Sequence, residues 1–176
     1  RNLVEMFINI VWGPIKADFW RLCILFIKGG IYYDIDVKPI KPLKNIVEDY
    51  NFITCLSCTK DHIFQAFLVA NKNNLIIENC IINFYIKYIS NINNLSYGLM
   101  TGTIDMYNIL KQLLGDVKVG IYPKYNIKIL EEYIKVDALK SEEFYKNTIA
   151  AKIQVVLKLL SSSSELLKLV SSINKL

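Results

Sequence analysis

Apolar and polar positions fall into short blocks along this chain, and their spacing changes from block to block. Asn2 to Ile10 predicts a short helix, broken by Trp12-Gly13-Pro14. Asp18 and Arg21 stand three apart and so share one face of a following helix. The helix they open runs through Leu22, Cys23, Ile24, Leu25, Phe26 and Ile27, a block too continuous for a surface helix and so predicted to be buried. Gly29 supplies its C-terminal stop, where a left-handed backbone carries little penalty. Ile31, Tyr32 and Tyr33 then predict a strand. If that strand continues, Asp34 and Asp36 project to one face while Ile35 points into the protein.

Further along, Asn51 to Leu56 predicts a strand, and His62 to Ala70 reads as an apolar strand or a helix start. Asn74 to Ile89 is denser in apolar residues than a single stripe and predicts a largely buried helix. Met100 to Thr103 is a small turn before a helix over Ile104 to Leu114. Val117 to Tyr122 predicts a strand closed by Pro123, and Asn126 to Val136 is strand-like. From Ser141 to Leu176 the character changes. Val155, Val156, Leu159, Leu160, Leu166, Leu167, Val170 and Ile173 follow helical spacing, and Ser161 to Ser164 is a break or a poor stretch between them. The chain is therefore expected to be α/β, with a core over 1–138 and a helical extension over 139–176.

Composition narrows the class. With 176 residues, 53% of them hydrophobic, the chain can bury one sizeable core. A net charge of +5 is carried by scattered lysines rather than a basic stripe, which gives nucleic-acid binding no support. Lys38 and Lys41 read as solvated loop lysines. No apolar run reaches the length of a membrane span and no signal peptide is visible, so the sequence assigns no compartment. The Asn94-Leu95-Ser96 glycosylation triplet is too common to change that.

Cys23, Cys55, Cys58 and Cys80 make no disulfide framework, and free or buried thiols are expected. Cys55-Leu-Ser-Cys58 has C-x-x-C spacing without a second pair, and His62 is the single histidine, which argues against zinc. A thiol redox role for Cys55 and Cys58 stays open.

The chemistry concentrates at Asp34 and Asp36. Two carboxylates side by side raise each other's pKa unless a positive group stands between them, and a hard divalent cation with oxygen ligands meets that need. The wider pattern is A-D-x-x-R, an apolar run, then G-G-x-Y-x-D-x-D, with Asp18, Arg21, Gly29, Gly30, Tyr32, Asp34 and Asp36 in place. It resembles the DXD-containing sugar-binding region of retaining glycosyltransferases. Similar families include the yeast-type α-mannosyltransferases, the α-1,4-galactosyltransferases and the glucosylating domains of clostridial toxins. Seven matched positions within nineteen residues make the resemblance specific.

The resemblance implies a GT-A-like fold with a single Rossmann-like nucleotide-sugar domain. It implies a hexosyltransferase that moves a hexose from a UDP- or GDP-sugar to a hydroxyl of a glycan, lipid or protein, with Mn²⁺ or Mg²⁺ as cofactor. By position, Asp36 corresponds to the metal ligand, with Asp34 beside it near the ribose and sugar. Asp18 and Arg21 correspond to the pair that bonds sugar hydroxyls, and Gly30 and Tyr32 to the nucleotide-lining turn. Gln65 stands near the family's Asn, and Thr101-Gly102-Thr103 near its T-G-P turn, both as departures. No histidine follows His62, where the family commonly has one. Relatives carry further strands ahead of the A-D-x-x-R helix, so the chain reads as N-terminally incomplete. The competing expectation is a nucleotide-sugar-binding module without turnover. The C-terminal helix is expected to dock on the core, or to meet a membrane surface or a partner.

Overall fold

The computed structural model describes residues 3–37, 42–47, 49–58, 61–91 and 102–132. Thr101, the Asn94 triplet, Lys38, Lys41 and the 139–176 extension lie outside them. The elements are helices α1 (Leu3–Asn9), α2 (Gly13–Lys28), α3 (Leu75–Ser90) and α4 (Gly102–Leu114), and strands β1 (Gly30–Tyr33), β2 (Phe52–Leu56), β3 (Ile63–Ala70), β4 (Gly120–Tyr122) and β5 (Ile127–Glu131). Short 3₁₀ turns cover Leu43–Asn45 and Pro123–Tyr125.

The strands form a mixed sheet in the order β1-β3-β2-β5-β4. Only β2 and β5 pair in parallel, and β1, β2 and β5 all run one way. The chain between β2 and β3 is short, which allows only an antiparallel return. The architecture is thus α/β with a mixed sheet, rather than one built from successive parallel crossovers.

One face of the sheet carries the helices. Tyr32, Phe52, Leu68, Ala70, Ile127 and Ile129 join residues of all four helices in the main core. Phe19 of α2 sits between Phe7 and Phe84, with ring centroids 6.3 and 5.2 Å away, and ties α1 and α3 to it. The opposite face has a smaller cluster of Ile53, Cys55, Phe67 and Val69, covered by Leu43, Ile46, Val47 and Tyr50.

α2 begins a turn earlier than Asp18 suggests, because Pro14 fits the first helical turn, where a missing N–H costs nothing. The His62–Ala70 block is a strand, consistent with its β-branched and aromatic content. Asn74 caps α3 by accepting hydrogen bonds from the N–H groups of Ile76 and Ile77 at 3.0 and 3.4 Å. The Val117–Tyr122 strand shortens to Gly120–Tyr122, and Asn126–Val136 is seen as Ile127–Glu131.

Gly29 turns α2 into β1 with φ +64°, and a Cβ there would stand 2.6 Å from the backbone nitrogen of Lys72. Glycine is required here on both counts.

β1 stops at Tyr33, so Asp34 and Asp36 are not strand neighbours. The Val37 N–H donates to the Asp34 carbonyl at 3.0 Å and closes a turn. Ile35 consequently lies 61% exposed instead of pointing inward.

Candidate donor-sugar site

Arg21 projects from the buried face of α2 toward the C-terminal end of β1. Its guanidinium donates to the Gln65 carbonyl at 2.7 Å, lies 3.3 Å from Asp18 and 3.7 Å from Asp34, and stacks 4.8 Å from the Tyr32 ring centroid. Its Nε donates back to the Ala17 carbonyl at 3.3 Å. A planar fork with five donors can meet these partners together, which an ammonium could not do. Tyr32 donates its hydroxyl to Asp34 and packs edge-on against Trp20.

The sheet is adapted to this cluster. Between Thr54 and Cys55 the β2–β3 register shifts, so the partner of β2 jumps from Leu68 to Phe64. The carbonyls of Gln65 and Ala66 then serve the site, accepting from Arg21 and from the Asp34 N–H at 2.9 Å. A bulge next to a site re-aims groups in this way.

α4 closes the other side. The Gly102 N–H hydrogen-bonds to the Asp18 carboxylate, which places the helix N-terminus beside a negative charge. A Cβ on Gly102 would lie 3.4 Å from the Gln65 amide and 3.6 Å from Asp18 Cβ. Lys87 of α3 holds α4 in place through an ion pair with Asp105 at 2.5 Å.

Burial pushes the Asp18 carboxyl up to about 6, although Arg21 and the Gly102 N–H pull it down. Tyr32 is raised, chiefly by burial. Accessibility increases outward, with side-chain exposures of 8% for Arg21, 14% for Asp18 and 32% for Asp34. Asp36 is exposed in the turn beyond. The mouth of the site is therefore at the D-x-D turn.

The structure brings together Asp18, Arg21, Tyr32, Asp34, Gln65 and Gly102 of the residues singled out in the sequence. Gly30 sits at the start of β1, at the opposite end of that strand from Asp34. Gln65 is 2% exposed, and its buried Oε1 has no hydrogen-bond partner among the described residues. The mutual repulsion expected of Asp34 and Asp36 is also changed, because Asp34 is already matched by Arg21 and Tyr32. Among the described residues, no group of three or more His, Cys, Asp or Glu side chains could hold a metal ion. Trp20 and the Lys87–Asp105 pair carry no motif and are found only through packing.

The surroundings of Cys55 give the redox alternative no support. Cys55 lies within β2, and burial together with the nearby Glu132 pushes its thiol up to about 12, away from reactivity. All four cysteines are free, as expected.

Residues 3–53, which include Asp18, Arg21, Tyr32, Asp34 and Asp36, match the family described as glycosyltransferase sugar-binding region containing DXD motif. Within that class the chain is similar to the initiation-specific alpha-1,6-mannosyltransferase of Schizosaccharomyces pombe, at 55% identity over 31 residues. That stretch is 18% of this chain and 8% of the length of the yeast protein. No solved structure matches the chain.

Proposed function

We propose that the chain carries the donor-sugar site of a retaining glycosyltransferase of GT-A-like fold, over a core of 1–138, with 139–176 as a helical extension. A UDP- or GDP-sugar is the donor, and a hydroxyl of a glycan, lipid or protein is the acceptor. The observation that carries this reading is the Arg21 fork, which joins Asp18 of α2, Asp34 after β1 and the Gln65 carbonyl of β3 beneath an accessible D-x-D turn.

Each residue has a role that its chemistry suits. Asp18 accepts and Arg21 donates hydrogen bonds to sugar hydroxyls, each held in place by the other. Tyr32, Gln65 and Gly102 shape the wall around the sugar, Gly30 completes the α2–β1 turn with φ +106°, and Thr101 is assigned to the donor by the resemblance alone. Asp34 orients the ribose side, with its charge steadied by Arg21 and Tyr32.

The donor set fits a hard divalent cation only partly. Asp36 presents an exposed carboxylate and Asp34 stands two residues away, so phosphate oxygens and water would complete the shell, as Mg²⁺ or Mn²⁺ accepts. Such a cation offsets the negative charge that grows on the leaving diphosphate.

Donor hydrolysis and transfer, measured with and without Mn²⁺ for wild type and Asp36→Ala, test the reading. The substitution is expected to lower metal-dependent activity at least about a hundredfold, equivalent to about 3 kcal/mol. Equal activity in both proteins would remove the metal role. A second reading is a nucleotide-sugar-binding module without turnover, supported by the prior engagement of Asp34 and the small set of metal ligands. Calorimetric donor binding with no hydrolysis or transfer would select it.

A further inference from the structure

A groove of about 720 Å³ opens at the end of the sheet opposite the Arg21 cluster, where β2 and β5 begin and β3 ends. Its volume lies within the range of about 300–1,000 Å³ usual for ligand pockets. Seven side-chain amides line it, among them Asn51, Asn71, Asn74, Asn79, Asn83 and Gln112. No Asp or Glu lines it, and Lys72 is its one charged residue.

The amides are partly locked. Asn71 Nδ2 donates to Asn51 Oδ1 at 2.8 Å, Asn74 Nδ2 to the Asn51 carbonyl at 3.0 Å, and Asn79 Nδ2 to the Leu75 carbonyl at 2.8 Å. Asn74 Oδ1 is taken up in capping α3. Among the described residues, no hydrogen bond engages the side chain of Asn83 or Gln112, and the second polar atoms of Asn71 and Asn79 are likewise uncommitted. Leu75, Ile109, Leu113 and Tyr125 add apolar and aromatic lining to the same groove.

We propose that this groove binds a neutral oligosaccharide, as a glycan-holding site separate from the donor site. The chemistry is specific to that class. The Asn83 and Gln112 amides each offer donors and an acceptor together, which matches a sugar hydroxyl that also donates and accepts. The aliphatic and aromatic lining matches the C–H faces of pyranose rings. A nucleotide or phosphorylated ligand would find one lysine against two or more charges, and a metal ion would find no carboxylate. The inference stands on the groove itself and does not require the donor-site reading.

The test is an NMR titration of the ¹⁵N-labelled full chain with mannotriose, cellotriose and inorganic phosphate. At least one trisaccharide is expected to shift the side-chain amide signals of Asn83 and Gln112. The Asn83→Ala/Gln112→Ala protein should bind that sugar about tenfold more weakly. Both residues lie outside the buried core, so thermal unfolding should be unchanged. Asp34→Asn, at the other end of the sheet, should leave this binding intact. The proposal is overturned if neither sugar moves the two amides, if phosphate moves them and the sugars do not, or if Asp34→Asn abolishes the shifts.

Discussion

Replacing Arg21 by Met removes a guanidinium that is 7% exposed and that satisfies Gln65, Asp18 and Asp34 together. Two carboxylates are then left without their cation, and loss of one partner of a buried pair costs about 3–5 kcal/mol. Urea unfolding at neutral pH should register that loss. Asp18 gives a separate signature. Its pKa is raised from 3.8 to about 6 on folding, so the native state binds the proton more tightly than the unfolded chain. The stability this contributes is complete below about pH 3.8 and is lost as pH rises through about 6. In metal-free buffer, Asp18→Asn is therefore expected to flatten the fall in stability between those values, seen as a melting temperature that varies less with pH. These side chains were legible in the sequence because Asp18, Arg21 and Asp34 keep a recognisable spacing. Their mutual neutralisation was not, since it depends on a carbonyl from Gln65, forty-four residues away from Arg21.

Two glycines separate conformational need from site shape. Gly29 has φ +64° and its added Cβ would press on the Lys72 backbone at 2.6 Å, so Gly29→Ala should destabilise the protein by more than about 2 kcal/mol. Gly102 meets its neighbours only at ordinary contact distance, with the closest atom 3.4 Å away. Gly102→Ala should change stability by less than about 1 kcal/mol, because alanine also favours the helix. Chemical denaturation of the two variants in parallel checks the contrast. Periodicity located α2, α3 and α4 correctly because each has a continuous apolar face. It misjudged the end of β1, since an extended pattern through Tyr-Asp-Ile-Asp looks the same whether the chain continues or turns at Asp34. The β3 register shift was invisible for a related reason. It arises from pairing with β2 and leaves no local mark around Gln65.

The two faces of the sheet differ in how firmly they are covered. Phe19 is fully buried between rings of α1 and α3, and Phe19→Ala should cost about 3–5 kcal/mol. Ile121, on β4, is 54% exposed, and its truncation should stay within about 0.5 kcal/mol. Thermal unfolding of both variants tests this asymmetry. The same sheet sets the functional geography, with the D-x-D turn at the C-terminal ends of β1 and β2 and the amide groove at their beginnings. Local sequence was enough to specify the elements, the Gly29 turn and the carboxylates of the D-x-D motif, because propensity and spacing act over a few residues. The antiparallel insertion of β3 between β1 and β2, the approach of Gly102 to Asp18 and the gathering of seven amides into one groove required the folded chain. Those arrangements join residues far apart along the sequence, and their energies come from packing and charge in three dimensions.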